Sequence, residues 1–168
     1  MPIFILAAAA ALGGGLFLYA AFAQSRIVIG YDKGKPYPLT VQRLSVKLQN
    51  GDAAWLRPDA AAAFEAMRAT ALQDNVNIQV ASAFRSIAEQ LVLYVKNKLM
   101  GPQTAPPGWS NHQQGTTVDL DTGAPAGTNS TYAWMQRRGW EFGFQRTVSS
   151  EPWHYEFLGV GARQGWTG

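Results

Sequence analysis

Hydrophobic residues are distributed unevenly along this chain. Ile3 to Ala23 is an unbroken apolar run, and its length matches the roughly 20 residues that a helix needs to cross a bilayer. The run is rich in alanine and glycine and is followed by Arg26, which favours weak insertion over firm anchoring. Ala21-Phe22-Ala23 also has the small-x-small pattern of a signal cleavage site. We therefore expect residues 1–24 to be a transmembrane signal or signal-anchor segment.

The next stretch has no regular hydrophobic period. Glycine and proline interrupt it at Gly30, Gly34, Pro36 and Pro38, and these residues are typical of turns and loops. The sequence therefore predicts a linker over residues 25–38 and one domain over residues 39–168. An export segment ahead of that domain indicates an exported protein, either periplasmic or anchored in the membrane and facing the cell wall.

Short alternating stretches and longer periodic stretches follow the linker. Alternating apolar residues, typical of strands, occur at Leu44–Leu48, Ile78–Val80, Thr116–Asp121, Trp140–Phe144 and Tyr155–Phe157. Helical spacing occurs after Pro58-Asp59, with Asp59 as N-cap, after the capping box Ser86-Ile87-Ala88-Glu89, and from Thr128 to Arg138. Because strands and helices do not alternate in βαβ order, we expect an α+β fold, with helices packed on a small antiparallel sheet.

The most distinctive chemistry lies around the chain's two histidines, His112 and His154. Neutral imidazole is the commonest protein ligand of zinc, and a nearby aspartate could supply a third ligand. Three protein ligands with one open position is the arrangement of a catalytic zinc. Glu151 lies three residues before His154, so it could act as general base for an attacking water or as a carboxylate that orients His154.

Two aspartates compete for the third ligand position. Asp119 and Asp121 share one face of the predicted strand, about 6–7 Å apart. His112 precedes Asp119 by an odd number of residues, which a regular strand would place on opposite faces. We therefore expect Gly115 to mark a bend that returns His112 toward the aspartates.

A family resemblance rests on three short motifs. Ser110-x-His112-x-x-Gly115-x-x-x-Asp119, followed by Glu151-Pro152-Trp153-His154, resembles the zinc D,D-carboxypeptidases of the vancomycin-resistance type. The same motifs resemble the related L-alanyl-D-glutamate endopeptidases of phage endolysins. Ser82-Ala83-Phe84-Arg85-Ser86 is similar to the family's Ser-Gly-Tyr-Arg-Ser block. The likeness covers about Leu39 to Gly159.

The resemblance implies a zinc peptidase that hydrolyses peptidoglycan stem peptides, with its zinc site in a cleft on the sheet. It selects Asp119 over Asp121 as the third ligand beside His112 and His154. We also expect a monomer whose partners are the stem peptides and, through residues 1–24, the membrane.

The resemblance also implies roles for residues around the metal. Glu151 is the expected general base, and Arg85 the expected cation that stabilises the developing oxyanion. Ser82, Ser110 and Trp153 are candidate substrate-binding residues.

Two residues depart from the family pattern. Thr117 stands where alanine is usual, and Glu156 stands where arginine is frequent. Because a carboxypeptidase needs a cation for the terminal carboxylate of its substrate, Glu156 favours the endopeptidase activity, typical of a phage endolysin, over the carboxypeptidase activity.

Composition excludes some other functions. The chain has no cysteine, which excludes disulfides and thiolate zinc sites. Its net charge of +3 comes from scattered lysine and arginine, without the basic stripe of a nucleic-acid binder. Two alternatives remain: a non-catalytic zinc-containing module that binds the cell wall, and a membrane-active peptide carried by Ile3 to Ala23. The second leaves both histidine motifs unexplained.

Overall fold

The structure of the protein, a computed structural model, describes residues 24–100 and 104–161. In chain order, its strands are β1 Ser25–Asp32, β2 Lys35–Lys47, β3 Ala53–Leu56, β4 Val80–Ser82, β5 Thr117–Leu120, β6 Phe144–Gln145 and β7 His154–Phe157. Its α-helices are α1 Pro58–Gln73, α2 Ile87–Met100 and α3 Ser130–Arg138, and short 3-10 helices span Asn111–Gln114 and Gly139–Phe142.

Within the described residues, the strands form two antiparallel sheets with helices packed on them. One sheet has the order β1-β2-β3 and the other β4-β5-β7-β6. Helix α1 buries Ala60, Phe64 and Met67 in the main core, and Phe64 meets Phe144 of β6 edge-on, with ring centroids 6.1 Å apart. Full burial of one such side chain contributes about 1.5–3 kcal/mol. The predicted α+β class is confirmed.

The predicted linker over residues 25–38 is wrong, because these residues form a β-hairpin. Strand β1 pairs with β2 from Ser25 opposite Gln42 to Asp32 opposite Lys35. The two residues of the turn, Lys33 and Gly34, both have positive φ angles, as the tightest hairpin turns require. The folded domain therefore begins well before residue 39.

Helix α1 begins two residues earlier than the predicted cap at Asp59 implies. Its N-cap is Arg57 and Pro58 occupies the first turn, a position where the missing N–H of proline costs nothing. Asp59 instead accepts hydrogen bonds from the Arg57 guanidinium at 2.7 Å and from the Ala60 N–H at 2.9 Å. The capping box at Ser86 and Glu89 is confirmed by reciprocal hydrogen bonds.

The strand predicted over Trp140–Phe144 is largely a 3-10 helix. Gly139–Phe142 continues α3 with tighter turns, and Gly143 ends it with a φ of 81°. Phe142 stacks on Trp134 at 6.1 Å between ring centroids. The alternating aromatic residues therefore reflect packing of the 3-10 helix and not a strand. Only Phe144 and Gln145 join the sheet.

No helix within residues 24–100 and 104–161 combines the length and the apolar character that crossing a bilayer requires. This finding corrects the expectation of a transmembrane or signal-anchor helix. The apolar run Ile3–Ala23, on which that expectation depended, lies outside the described residues.

Candidate metal centre

The second sheet places three candidate residues side by side. Asp119 of β5 pairs directly with His154 of β7 on one side and with Ser82 of β4 on the other. Directly paired residues of antiparallel strands project from the same face of the sheet. Asp119 and His154 therefore meet on one face, while Val118 and Tyr155 project into the core on the other.

A bend returns the second histidine to the same face. His112 lies in the 3-10 helix Asn111–Gln114, which ends at Gly115 with a left-handed φ of 71°. A side chain at Gly115 would lie 3.0 Å from the Arg57 backbone nitrogen, so the bend also requires glycine for space. The bend that the sequence predicted at Gly115 is confirmed.

The candidate ligand atoms converge. His112 Nε2 lies 3.2 Å from Asp119 Oδ2, and His154 Nδ1 lies 3.1 Å from Asp119 Oδ1. Among the described residues these three side chains form a possible metal-binding group, with their ligand atoms all within 4.8 Å of one another. Ligands bound tetrahedrally to one zinc ion lie about 3.4 Å apart. The group therefore fits a zinc ion with small adjustments.

The hydrogen bond to His112 also suits a metal ligand. Its Nδ1–H donates to the Ala83 carbonyl at 2.7 Å, which turns Nε2 toward Asp119. Metal-binding histidines commonly donate their second N–H to a carbonyl or a carboxylate. The His112 ring is therefore already oriented with Nε2 toward the cluster.

Electrostatics at the cluster favour a cation. Burial alone would raise the pKa of Asp119, but hydrogen bonds from both histidines hold that pKa well below its usual range. Burial disfavours the charged form of His154, yet contacts with Asp119 and Glu156 outweigh it and raise the pKa of His154 to about 9. The site thus holds a proton on His154 at neutral pH when no metal is bound, and a metal ion would displace it.

The two predicted catalytic residues flank the cluster. Glu151 Oε2 lies 3.6 Å from His154 Nδ1, and the Arg85 guanidinium lies 3.7 Å from Asp119 Oδ2. Burial lowers the pKa of Arg85, and the attraction of Asp119 opposes that shift. The structure therefore brings both side chains beside the candidate ligands, although their catalytic roles stay predictions.

The remaining predicted site residues have mixed positions. The hydroxyl of Ser82 accepts a hydrogen bond from Arg85 at 2.9 Å, so it supports the guanidinium. Ser110 is buried at the start of the 3-10 helix, and the indole of Trp153 is 37% exposed beside the ligand His154. Asp121 lies outside the cluster, because its carboxylate accepts hydrogen bonds from Gly123 N–H and Gln49.

Sequence reasoning missed Gln90 as a support for Arg85. Gln90 is fully buried, and its Oε1 accepts a hydrogen bond from Arg85 Nη1 at 2.7 Å. Its Nε2 donates to the Ala105 carbonyl at 2.6 Å. The only signal in the sequence is a glutamine one turn into the helix that follows Arg85, which is an ordinary surface pattern.

The β1–β2 hairpin supports the loop that leads into the metal cluster. The Gly34 N–H donates to the Gly108 carbonyl at 2.8 Å, and Gln114 Nε2 donates to Asp32 Oδ1 at 3.2 Å. A Cβ at Gly108 would lie 3.2 Å from the Gly34 Cα. The turn of the hairpin and this loop therefore pack backbone against backbone.

We expect Gly108→Ala to destabilise the protein more than Gly51→Ala. Both glycines have φ near +90°, so each alanine should cost about 1–2 kcal/mol in left-handed strain. Only Gly108 meets the hairpin, whereas nothing lies within 4 Å of a Cβ at Gly51. Overpacking should add about 1–3 kcal/mol at Gly108 and weaken zinc binding. Urea unfolding and zinc competition titration measure both effects, and equal losses in the two variants would contradict the support role of the hairpin.

A groove of about 1060 Å³ adjoins the candidate site at Ser82 and Arg85, and none of His112, Asp119, Glu151 and His154 lines it. Residues of the first sheet and of α2 form its other walls. Its walls are mixed, with the aromatic rings of Trp55 and Phe84 beside polar groups such as Asn50. The groove is therefore large enough to contact a substrate well beyond one reacting bond.

Three ligand-type side chains at one face of a sheet, two from strands and one from a 3-10 helix, with a carboxylate and a guanidinium beside them, are the arrangement of a mononuclear metallohydrolase site. A family model described as VanY, D-alanyl-D-alanine carboxypeptidase, matches residues 53–160. That range is more than half of the chain and includes every candidate ligand. The chain belongs to this family, as its sequence motifs predicted.

Individual relatives agree with this membership. A D-alanyl-D-alanine carboxypeptidase of Enterococcus faecalis (strain ATCC 700802 / V583) is 38% identical over 34% of this chain and 26% of the relative. The chain thus matches about a quarter of the length of that curated relative.

Solved structures show similar folds. VanYB in complex with D-alanine-D-alanine has a TM-score of 0.58 and 25% identity, over 79% of this chain and 86% of VanYB. A mutant of the vancomycin-resistance D,D-pentapeptidase VanY in complex with Zn(II) has a TM-score of 0.57 and 25% identity, over 79% and 88% of the two chains. The LdcB LD-carboxypeptidase shares the fold, with a TM-score of 0.59 and 22% identity over 70% and 67%.

Proposed function

We propose that this protein is a zinc-dependent peptidase that removes the terminal D-alanine from peptidoglycan stem peptides. The observation that carries the proposal is the convergence of His112, Asp119 and His154, with their ligand atoms within 4.8 Å. Family membership supports the reaction, and the VanY mutant bound to Zn(II) supports the metal. A peptidoglycan substrate would place the enzyme outside the cytoplasmic membrane.

A zinc ion held by these three side chains would supply Lewis-acid activation of the scissile carbonyl and of water. Glu151 would accept a proton from the attacking water and deliver it to the nitrogen of the departing D-alanine. A carbon–oxygen bond would form and the carbon–nitrogen bond would break, and the carboxylate that took up the proton would return it to the leaving amine. The partial exposure of Glu151, 33% of its side chain, leaves it accessible to that water.

Arg85 would stabilise the negative charge that develops on the carbonyl oxygen. Its guanidinium is fixed by Ser82 at 2.9 Å and by Gln90 at 2.7 Å. Guanidinium carries five N–H donors, so these two bonds leave others for a substrate oxygen. A cation held in place before the reaction stabilises the transition state without reorganisation.

The surroundings of Glu156 bear on which peptide bond of the stem peptide is cut. Its carboxylate accepts hydrogen bonds from Asn111 at 2.7 Å and from the Thr147 hydroxyl, and its side chain is only 16% exposed. Asn111 and Thr147 are neutral partners and do not cancel the negative charge of Glu156, but they hold its carboxylate in contacts within the protein. Position 156 therefore does not decide between the two bonds, and the choice of the carboxypeptidase rests on family membership.

A second candidate is cleavage between L-alanine and D-glutamate within the stem peptide. The groove of about 1060 Å³ that leads away from Arg85 favours it, because an internal bond requires space for substrate on both sides. This activity is the one expected of a phage endolysin.

Purified muropeptides with pentapeptide stems distinguish the two reactions. We expect the zinc-loaded protein to release free D-alanine and leave a tetrapeptide stem, and mass spectrometry of the products measures this. Cleavage beside L-alanine would replace the carboxypeptidase with the second candidate. Intact muropeptides after incubation with zinc-loaded protein would contradict both and favour a wall-binding module without catalysis.

A further inference from the structure

One carboxylate oxygen joins both histidine segments of the metal centre. Glu156 Oε1 accepts a hydrogen bond from Asn111 Nδ2 at 2.7 Å, and Asn111 is the residue before His112. The same oxygen accepts a hydrogen bond from the Thr147 hydroxyl and lies 3.5 Å from His154 Nε2. Burial would raise the pKa of Glu156, but the contacts with His154, Thr147 and Asn111 outweigh it and hold that pKa below its usual range.

The two nitrogens of His154 face different groups. Nδ1 points to Asp119 Oδ1 at 3.1 Å, in the position of a ligand atom. Nε2 is buried and has no partner within hydrogen-bond geometry. Buried N–H groups nearly always have an acceptor, and the nearest recorded one is Glu156. The separation of 3.5 Å leaves room for this pair to tighten.

We propose that Glu156 is a positioning residue, which accepts the Nε2–H of His154, keeps its Nδ1 free to bind the metal, and ties the His112 segment to the His154 strand. This inference rests on the metal site of the proposed function. A histidine whose second N–H is held by a carboxylate has a fixed tautomer, a fixed ring orientation and a more basic ligand nitrogen.

The strand register explains why position 156 can do this. Glu156 follows His154 by two residues on β7, so both side chains lie on the same face of the sheet. Thr117 of β5 pairs directly with Glu156 and is fully buried, which closes one side of the carboxylate. An arginine, frequent at this position in the family, could not accept the Nε2–H.

Zinc affinity tests the proposal without using activity. We expect Glu156→Leu, which keeps the size of the side chain but removes the acceptor, to weaken zinc binding by about 10–100-fold, the usual effect of losing an outer partner of a ligand. Glu156→Gln retains a carbonyl oxygen that can accept the same N–H. It should therefore recover most of the affinity and fold like the wild type. Chelator competition titration measures all three proteins.

Glu65→Leu is the matched control. Glu65 is also a buried carboxylate, and it accepts two hydrogen bonds from Ser45 at 2.7 and 2.6 Å. Its loss should lower the free energy of unfolding without changing the zinc affinity of the folded protein. Nitrogen-15 NMR of the zinc-loaded protein adds a direct readout, because the His154 Nε2–H should exchange with solvent more slowly in the wild type and in Glu156→Gln than in Glu156→Leu.

Three results would overturn the inference. The first is that folded Glu156→Leu binds zinc as tightly as the wild type. The second is that Glu65→Leu weakens zinc binding as much as Glu156→Leu does. The third is that Glu156→Gln folds normally yet binds zinc as weakly as Glu156→Leu. A wild-type protein that binds no zinc would instead remove the proposed function together with this role. Zinc binding without peptide hydrolysis would contradict the proposed function alone.

Discussion

Glu151→Gln should retain zinc and lose peptidase activity by about 10²–10⁴-fold, the usual contribution of a general base. The carboxylate lies 3.6 Å from His154 Nδ1, close enough to reach a water at the cluster. Glutamine has nearly the same size but cannot accept a proton. The loss should appear in kcat, because the proton transfer takes place during the reaction and not during substrate binding. Zinc content and the rate of D-alanine release from pentapeptide stems measure the two properties.

Glu89→Gln is the matched control for this variant. Glu89 lines the groove beyond Arg85, but its hydrogen bonds are to Ser86 in the capping box of α2, and glutamine preserves such a box. We expect near wild-type activity. If Glu151→Gln hydrolyses its substrate as fast as Glu89→Gln does, Glu151 is not the base, and its role is limited to orienting His154.

Zinc binding should be lost almost completely in His112→Ala and in His154→Ala. Each variant removes one of three ligands and leaves Asp119, whose pKa both histidines keep low, with fewer partners. The loss of affinity should exceed the roughly 10–100-fold typical of an outer partner, because a direct bond to the metal is removed. Metal analysis after dialysis, followed by chelator competition, measures the stoichiometry and the affinity.

Asp121→Asn is the control for ligand identity. Asp121 has the same type of side chain as Asp119 and lies two residues along the chain, yet it hydrogen-bonds with Gly123 and Asn129 and lies outside the cluster. Its zinc content should equal that of the wild type. Stoichiometric zinc in the double variant of His112 and His154 would show that the metal binds elsewhere.

The metal site could be predicted because its signals are local. Two histidines within two short motifs identify candidate ligands directly, and the left-handed Gly115 follows from the odd spacing between His112 and Asp119. Pairing between strands determines which aspartate joins the two histidines. Asp119 lies opposite His154, which excludes Asp121. From the sequence, only the spacing of the family motif selected Asp119, because strand periodicity alone leaves both aspartates on one face.

The hairpin could not be predicted from local composition. Pro36 and Pro38 suggest a linker, since proline lacks the N–H that a central strand needs. In the structure this part of β2 has β1 as its neighbour, whereas β3 pairs only with Gln42 and later residues. The two prolines are two positions apart, so their missing N–H groups fall on the same, unpaired side of the strand.

Helix α2 shows a different limit of periodicity. Leu91, Val95 and Leu99 recur at helical spacing and so share one face, but these side chains are 50–80% exposed in the structure. The fully buried residue of this helix near the site is the polar Gln90. Helical spacing therefore identified the element correctly but not its buried side, where Gln90 packs and holds Arg85.

The ties between the hairpin and the metal loop also bear on the order of folding. Asp32 and Gln114, which hydrogen-bond each other, are 82 positions apart, and the ligands themselves come from three separate segments. Contacts between distant segments form late, because the entropy of closing long loops opposes them. Because pairing within the second sheet brings Asp119 and His154 together, we expect a metal ion to bind only after that sheet has assembled. Unlike a zinc finger, which needs its metal to fold, this domain must reach its native fold through its own core, and the metal then stabilises that state by mass action and slows its unfolding.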